Sequence, residues 1–247
     1  MVTLKSHAEI EKMRAAGQIV RETLDLLGEH VKPGVTTRHL DALAYEYITS
    51  HHAYPSFLHY EGYPASVCAS VNEMVVHGIP GSRKLKEGDI ISLDVGAVLD
   101  GYHGDAARTF AVGEISPENA RLIEVTRECF FKAVEVMTEG HRLSDIAAAV
   151  QQHAESHGYS VVRALTGHGI GREMHEDPQV PNFVTSGLGM RLKNGMVLAV
   201  EPMINLGTWQ VKFLDDGWGV VTRDGKNSAH YENTVAITEN GPRILTL

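Results

Sequence analysis

The segment Leu85-Lys86-Glu87-Gly88-Asp89-Ile90-Ile91-Ser92-Leu93-Asp94 combines a turn, an apolar strand and a terminal carboxylate. The same arrangement returns in Leu192-Lys193-Asn194-Gly195-Met196-Val197-Leu198-Ala199-Val200-Glu201. A carboxylate that closes a buried strand is costly unless an opposite charge neutralises it. The repetition therefore predicts a duplicated scaffold that directs Asp94 and Glu201 towards one centre, where a metal cluster would provide the neutralising charge.

The composition is that of a globular protein rather than of a nucleic-acid or membrane protein. The chain has 247 residues, of which 43% are hydrophobic and 21% are charged, and its net charge is -9. No block of basic residues is present, which argues against stable nucleic-acid binding. No secretory signal is visible at the N-terminus, and no apolar stretch is long enough to span a membrane. Two cysteines, Cys68 and Cys129, form no disulfide framework and favour a cytoplasmic location.

The helix signals indicate two similar halves. Ser6 and Glu9 form a capping box that opens a helix, which Gly28 is expected to end. Ser116-Pro117 is an N-cap followed by proline at the first helical position. Further helices are expected after Thr36-Thr37 and around 144–157. We therefore predict a single α+β domain, 1–247, with pseudo-repeats of about 1–112 and 113–247.

A β-hairpin is the most specific strand prediction. Asp100-Gly101 is a strong turn signal between two apolar runs, so Asp94 is expected to face Ala107. Asp105 then lies on the same face as Asp94, with Cα atoms roughly 7 Å apart. Such a pair can bind cations, although an acid pair on a solvated face is the alternative interpretation. The other predicted strands are 66–71, 196–206, 209–213, 219–222 and 231–238.

Histidines and one further acid extend the candidate site. His168 stands between Gly167 and Gly169, and glycines permit close approach of the main chain to a site. Imidazole is a common metal ligand. His77, His175 and Glu232 are weaker candidates when each is taken alone, because the chain has 14 histidines and Glu232 could be an edge-strand charge.

Taken together, these residues resemble the type I methionine aminopeptidases, which are metallopeptidases of the pita-bread fold. The resemblance runs from about Ser6 to Ile244. It is carried by the motifs Tyr63-Pro64-Ala65-Ser66-Val67-Cys68, Asn72-Glu73, His77-Gly78-Ile79-Pro80, Asp94-Val95-Gly96, Gly101-Tyr102-His103-Gly104-Asp105, Gly167-His168-Gly169-Ile170-Gly171, His175-Glu176, Glu201-Pro202 and Glu232. It implies two pseudo-symmetric halves whose antiparallel sheet surrounds a dinuclear metal site, with helices on the outer face.

The resemblance also implies a ligand set and a cofactor. The five implied metal ligands are Asp94, Asp105, His168, Glu201 and Glu232, with Asp105 and Glu232 bridging two divalent ions. Oxygen-rich ligation suits Mn, Fe(II) or Co(II) at least as well as Zn. Asn72 and Ser228 match positions that the family associates with a structural monovalent cation.

Roles in catalysis and substrate binding follow from the same resemblance. Glu201 is implied as the general base, His175 as the stabiliser of the oxyanion and His77 as a ligand of the substrate amide. The implied methionine pocket consists of Tyr60, Tyr63, Cys68, Trp218, Phe57 and Met174. The chain departs from many members at Met174, where they have a larger aromatic residue, and at Phe57, where some have a smaller one.

The implied function is removal of the initiator methionine from nascent proteins whose second residue is small. The alternatives are a proline-directed aminopeptidase or dipeptidase of the same fold and a non-catalytic binding module. Proline-directed relatives usually carry an additional N-terminal domain, and non-catalytic ones have typically lost ligands that are present here. We expect a cytoplasmic monomer whose partners are nascent N-termini, with transient ribosome contact through the catalytic domain.

Overall fold

A computed structural model describes residues 2–247, so Met1, the first residue of the predicted domain, lies outside the described residues. In this range the α-helices are α1 (His7–His30), α2 (Thr37–Ser50), α3 (Pro117–Glu135) and α4 (Leu143–Ser156). The strands are β1 (Tyr54–Pro55), β2 (Val67–Val71), β3 (Met74–Val76), β4 (Ile90–Leu99), β5 (Tyr102–Ala111), β6 (Ser160–Val161), β7 (Gly167–Gly169), β8 (Glu176–Val180), β9 (Val197–Val200), β10 (Met203–Asn205), β11 (Val211–Phe213), β12 (Val220–Thr222), β13 (Ser228–His230), β14 (Glu232–Thr238) and β15 (Gly241–Ile244). No helix among these residues is long and apolar enough to cross a membrane.

Helix α1 begins where the sequence predicts and ends later. The Ser6 side chain accepts the N–H of Glu9, and the Glu9 carboxylate accepts the N–H of Ser6 at 2.9 Å, which confirms the capping box. The prediction that Gly28 ends this helix is wrong, because α1 continues to His30. A Cβ atom at Gly28 would approach the ring of Phe110 to 2.6 Å, so this glycine permits close packing of α1 on β5.

One curled antiparallel sheet carries most of the predicted site. Its strand order is β1-β4-β5-β14-β9-β7-β8, with β2 paired to β4 and β15 paired to β14. Smaller sheets have the orders β13-β10-β6 and β11-β12-β3. The predicted strand 196–206 is divided at Glu201-Pro202, where the chain leaves β9 before β10 begins in another sheet. Glu201 therefore stands at the point where one strand ends and the next changes sheet.

The hairpin of β4 and β5 has the predicted register. Leu99 faces Tyr102, Asp94 faces Ala107 and Gly96 faces Asp105. Asp100 and Gly101 both have positive φ, of 50° and 75°, as the two-residue turn requires. The register confirms that Asp94 and Asp105 point to the same face of the hairpin.

Helices cover the outer face of the sheet in two pairs. Helices α1 and α2 share an apolar core with β2 and β4, in which Leu24, Leu40 and Leu93 are buried. Helices α3 and α4 pack over a second core with β9 and β14. This α+β pita-bread arrangement is the predicted fold, and the inner face of the sheet remains available for a site. The division into pseudo-repeats of 1–112 and 113–247 stays a prediction.

Candidate metal centre

A cleft of ≈ 640 Å³ opens on the inner face of the sheet. Every side chain to which the sequence assigned divalent-metal ligation, catalysis or substrate binding lines this cleft. A volume of this size is within the usual range of small-molecule sites, about 300–1,000 Å³. The structure therefore brings together residues that span the chain from Phe57 to Glu232.

Strand β14 joins the hairpin to the second half of the site. Glu232 faces Ala107 across β5 and β14, so its side chain lies beside those of Asp94 and Asp105. Thr234 fixes this alignment, because its hydroxyl accepts the N–H of Asp105 at 3.0 Å and donates to the Asp105 carbonyl at 2.9 Å. Glu232 and Asp105 are both buried.

Glycines on both sides of His168 let β7 approach its neighbours. A Cβ at Gly167 would lie 2.3 Å from the carbonyl oxygen of Ala199, and one at Gly169 would lie 2.2 Å from that of Asp177. Nδ1 of His168 lies 2.9 Å from the Gly169 carbonyl, which can only accept a hydrogen bond. Nδ1 therefore bears the proton, and Nε2 presents its lone pair to the cleft, as in metal-binding histidines.

The acceptor nitrogen of His168 lies among carboxylates. It is 3.7 Å from Oδ2 of Asp105 and 3.8 Å from Oε1 of Glu201. One ligand atom from each of Asp105, His168 and Glu232 lies within 4.8 Å of the other two. These separations leave room for a cation that all three side chains could bind.

The carboxylates repel one another in a buried setting. Burial raises the pKa of Asp105 to about 7. Burial, followed by the charge of Asp105, raises the pKa values of Asp94, Glu201 and Glu232 well above their usual range. Desolvation lowers the pKa of His168 to about 4, so its ring is neutral at pH 7. Without a cation the cluster would retain protons, and divalent ions would compensate its charge.

Unpaired buried atoms give a direct test of whether cations fit. Oδ1 of Asp94, Oδ1 of Asp105 and Oε1 of Glu232 are buried and have no hydrogen-bond partner. Buried polar atoms in native proteins are almost always paired. A donor set of carboxylates with one imidazole suits divalent metals. The residues present therefore fit a metal centre.

His230 is a residue of this centre that the sequence analysis missed. Its ring is buried, both ring nitrogens lack a hydrogen-bond partner, and Nε2 lies 3.5 Å from Oε2 of Glu232. One ligand atom from each of His230, Asp94 and Glu232 also lies within 4.8 Å of the other two, so these residues could bind a metal ion together. The available signal was its position two residues before Glu232, since alternate residues of an extended chain share a face.

An apolar pocket adjoins the carboxylates. Tyr63 and Trp218 meet edge to face with ring centroids 5.0 Å apart. The single proton of the Tyr63 hydroxyl is shared between the carbonyls of Val67 and Gly78, at 3.1 and 3.0 Å, which fixes the ring. Cys68 is buried and faces Asp94 across β2 and β4. The wall of the pocket and the carboxylate cluster are therefore neighbours on adjacent strands.

Phe57 and Met174 pack against the same pocket. Their position depends on Gly96, because a Cβ there would lie 2.9 Å from the Phe57 ring and 3.3 Å from the Met174 methyl group. Tyr60 is half-buried and lines the same cleft. The structure thus groups all six residues of the predicted pocket.

His77 and His175 flank the cleft. The ring of His175 is 4.2 Å from that of His168 between centroids, and its Nδ1 lies 2.9 Å from the Tyr60 hydroxyl. Desolvation lowers the pKa of His175 to about 4 and also lowers that of His77. The ring centroids of His77 and Trp218 are 6.4 Å apart, and both residues line the cleft. Both histidines are neutral at pH 7 and can donate one hydrogen bond.

Asn72 and Ser228 lie outside the cleft lining but next to each other. The N–H of Ser228 donates to the Asn72 carbonyl at 2.9 Å. The side-chain amide of Asn72 donates a hydrogen bond to Asp89, and its oxygen accepts one from the N–H of Ile90. The monovalent cation associated with these two residues stays a prediction.

Comparisons with known proteins agree on one group. Metallopeptidase family M24 matches residues 11–239. The methionine aminopeptidase of Clostridium perfringens is 59% identical over 247 residues, which are 100% of this chain and 99% of that protein. Methionine aminopeptidase 1 of Bacillus subtilis is 52% identical over 246 residues, with 100% and 99% covered. The crystal structure of the Rickettsia prowazekii methionine aminopeptidase superposes with a TM-score of 0.98 at 46% identity and covers 100% of both chains.

More distant structures share the fold. The prolidase from Pyrococcus horikoshii OT3 superposes with a TM-score of 0.79 at 23% identity, covering 99% of this chain but 63% of the prolidase. Likeness at this identity shows a common fold and carries no conclusion about the substrate.

Proposed function

The chain belongs to the methionine aminopeptidases of metallopeptidase family M24, and from this premise we propose that it removes the initiator methionine when the second residue is small. As a member of this family it is a metal-dependent exopeptidase. The proposal concerns its substrate, its catalytic residues and its metal ligands.

The observation that carries the proposal is the pairing of Cys68 with Asp94 across β2 and β4. It sets a pocket of aromatic and sulfur-containing side chains directly beside a carboxylate cluster. A flexible thioether side chain suits such a lining. A methionine side chain bound there would hold its own amino and carbonyl groups next to the carboxylates.

The proposed metal ligands are Asp94, Asp105, His168, Glu201 and Glu232. A pair of divalent ions in this position would acidify a water molecule and polarise the scissile carbonyl. Mn, Fe(II), Co(II) and Zn are the candidates, because carboxylate and imidazole ligands suit all of them. His230, with Nε2 3.5 Å from Oε2 of Glu232, would support this ligand once a cation orders the cluster.

Glu201 is the proposed proton acceptor. It lies at the end of β9, where the Asn182 amide donates to its carbonyl at 3.0 Å and fixes the main chain. Its carboxylate, ionised once cations compensate the charge of the cluster, could take a proton from the attacking water. The same group could then deliver the proton to the leaving amine.

His175 and His77 are proposed to bind the substrate on either side of the scissile bond. Burial raises the pKa of Tyr60, so its hydroxyl keeps a proton that it can donate to Nδ1 of His175. Nε2 of His175 then carries the ring proton and can stabilise the developing oxyanion. His77, beside Trp218, would bind the substrate amide that follows the scissile bond.

We extend the proposal to the cellular setting expected from the sequence. The substrates would be N-termini of nascent polypeptides in the cytoplasm, met by a monomer with transient ribosome contact. The monovalent cation would bind near Asn72 and Ser228, where a main-chain carbonyl and a hydroxyl lie close together.

Cleavage of five peptides by the metal-loaded enzyme tests the proposal. Met-Ala-Ser should be cleaved, Met-Lys-Ser should be poor because the second side chain has little room, and formyl-Met-Ala-Ser should be inert because its amine is blocked. A peptide with norleucine in place of methionine should also be cleaved. The two side chains differ by a methylene group in place of sulfur, and a difference of one methylene changes binding by only about 1–3 kcal/mol. Preference for Ala-Pro-Ser would instead assign a proline-directed activity, and no cleavage of any peptide would indicate a binding module.

A further inference from the structure

Two histidines and a glutamate meet on the outer surface formed by α3 and α4. His153 lies in α4 and His157 directly follows its last residue, Ser156, so their rings are one turn apart with centroids separated by 4.6 Å. Glu128 belongs to α3, and its Oε2 lies 2.8 Å from Nε2 of His153. One ligand atom of each residue lies within 4.8 Å of the other two.

The hydrogen bonds leave a free lone pair at this position. Nδ1 of His157 lies 2.9 Å from the carbonyl oxygen of His153, which can only accept. Nδ1 therefore carries the ring proton, and Nε2 of His157 has an unshared electron pair. Metal-binding histidines usually have this pattern, with one nitrogen donating to a carbonyl and the other available.

The two helices hold the three residues on a rigid base. Cys129, next to Glu128, is fully buried, and its thiol lies 3.7 Å from the carbonyl oxygen of Val150 in α4. Ala154, next to His153, is also fully buried. A site built on packed helices is better defined than one on loops, so little ordering is needed for binding.

A shallow pocket on this surface contains Glu128, His153 and His157, and three basic side chains also line it. Each of these basic side chains has an acidic partner. Arg121 contacts the other oxygen of Glu128 at 3.2 Å. Arg127 contacts Glu124 at 3.4 Å, and Lys132 contacts Glu135 at 2.7 Å. The hydrogen bond from His153 lowers the pKa of Glu128, so its carboxylate is ionised at neutral pH. The local positive charge is therefore offset. Nε2 of His157 offers its electron pair directly, and Nε2 of His153 offers one when a metal displaces the proton that it shares with Glu128.

We propose that Glu128, His153 and His157 bind one transition-metal ion, such as Zn²⁺, at the α3–α4 surface. Zinc bonds to nitrogen and oxygen are about 2.0–2.2 Å long, which places tetrahedral ligands roughly 3.4 Å apart. The 2.8 Å between Glu128 and His153 needs only a small adjustment once a metal replaces their shared proton. Water would complete the coordination. This surface shares no lining residue with the catalytic cleft, so the site is independent of the proposed dinuclear centre.

Zinc content after dialysis tests the site. The wild-type protein and the variants His157→Ala and His157→Gln are dialysed against low-micromolar Zn²⁺, and zinc per chain is measured by elemental analysis. Both variants should contain one zinc ion fewer than wild type. The matched control is His7→Ala, which removes another exposed helical histidine that lies 3.9 Å from a glutamate, Glu11, and it should bind as much zinc as wild type. The catalytic centre is common to all four proteins, so it cancels in the comparison.

Two further readings make the outcome decisive. Diffraction at the zinc absorption edge should give an anomalous peak between Glu128, His153 and His157. Zinc should also raise the melting temperature of the wild type and of His7→Ala more than that of His157→Ala, because a ligand stabilises the state that binds it. Equal zinc content in wild type and the folded His157 variants, or no anomalous peak among these three side chains, would overturn the proposal.

Discussion

The hydroxyl of Tyr60 lies 2.9 Å from Nδ1 of His175, and the centroids of the two rings are 5.2 Å apart. Tyr60 therefore lines the apolar pocket and also contacts His175, which is proposed to act on the transition state. Its ring and its hydroxyl can be separated experimentally, because phenylalanine keeps the first and lacks the second.

Tyr60→Phe should lower kcat about three- to tenfold and leave KM for Met-Ala-Ser nearly unchanged. One hydrogen bond contributes about 0.5–1.5 kcal/mol, and here it fixes which nitrogen of His175 carries the proton. Steady-state kinetics measure this effect. Tyr45→Phe, an exposed tyrosine on α2, is the matched control. A rise in KM with unchanged kcat would assign Tyr60 to the pocket alone.

Asp105→Asn should reduce bound divalent metal and lower kcat/KM by about a thousandfold or more. The change keeps the shape of the side chain and removes the charge that would bridge two ions. These ions are expected to lower the activation free energy by several kcal/mol. Elemental analysis and peptide assays give the two measurements. Asp25→Asn, an exposed aspartate on α1, should resemble wild type. Full activity in Asp105→Asn would contradict the proposed ligand set.

Metal-free protein should lose stability as the pH rises from about 4 towards 7. Burial raises the pKa of Asp105 to about 7 in the folded state, whereas in the unfolded chain it is about 3.9. The folded state therefore binds more protons than the unfolded state in this interval, and its stability falls as they are lost. Denaturation in the presence of a chelator measures the slope. The slope should be smaller in metal-free Asp105→Asn, and equal slopes would show that Asp105 does not titrate as described.

Gly96→Ala should lower kcat/KM for methionine substrates at least about fivefold. The new methyl group would displace Phe57 or Met174 into the pocket, and overpacking of this kind costs about 1–3 kcal/mol. Metal content should not change. Gly81→Ala is the control, because a Cβ there meets nothing within 4 Å. An unaltered preference between methionine and norleucine, together with unaltered kcat/KM, would show that the pocket tolerates the methyl group.

His230→Ala should weaken metal binding about 10–100-fold, since residues that support metal ligands have effects of this size. Titration calorimetry on the metal-free protein provides the affinity. His39→Ala, an exposed histidine on α2, is the comparison. If His230→Ala binds metal as tightly as His39→Ala, Glu232 does not depend on His230 for its position.

The sequence was most informative where local chemistry decides the structure. Asp100-Gly101 determines its own turn, so the register of Asp94 and Asp105 follows from the chain itself. Strand β7, by contrast, consists of Gly167-His168-Gly169, which lacks the branched and aromatic residues typical of strands. Its pairing depends on the distant β9, which no local pattern reveals.

Long-range packing also explains the other differences. Gly28 has the character of a helix end, but its role is to admit the ring of Phe110, which lies far away in the sequence. His230 is one of 14 histidines, and only burial beside Glu232 distinguishes it from the rest. The candidate ligands could be predicted because their flanking motifs are specific, whereas the neighbours beside them are brought there by tertiary contacts.

The position of β14 between β5 and β9 determines when the centre can exist. A growing chain that has not yet produced Glu232 can form the β4–β5 hairpin, but it lacks the strand that brings this hairpin to His168 and Glu201. Pairings between residues so far apart in sequence form late in folding, because the intervening loop must first close. With the proposed ligand set, the centre is therefore complete only after β14 has been made and has paired with β5 and β9.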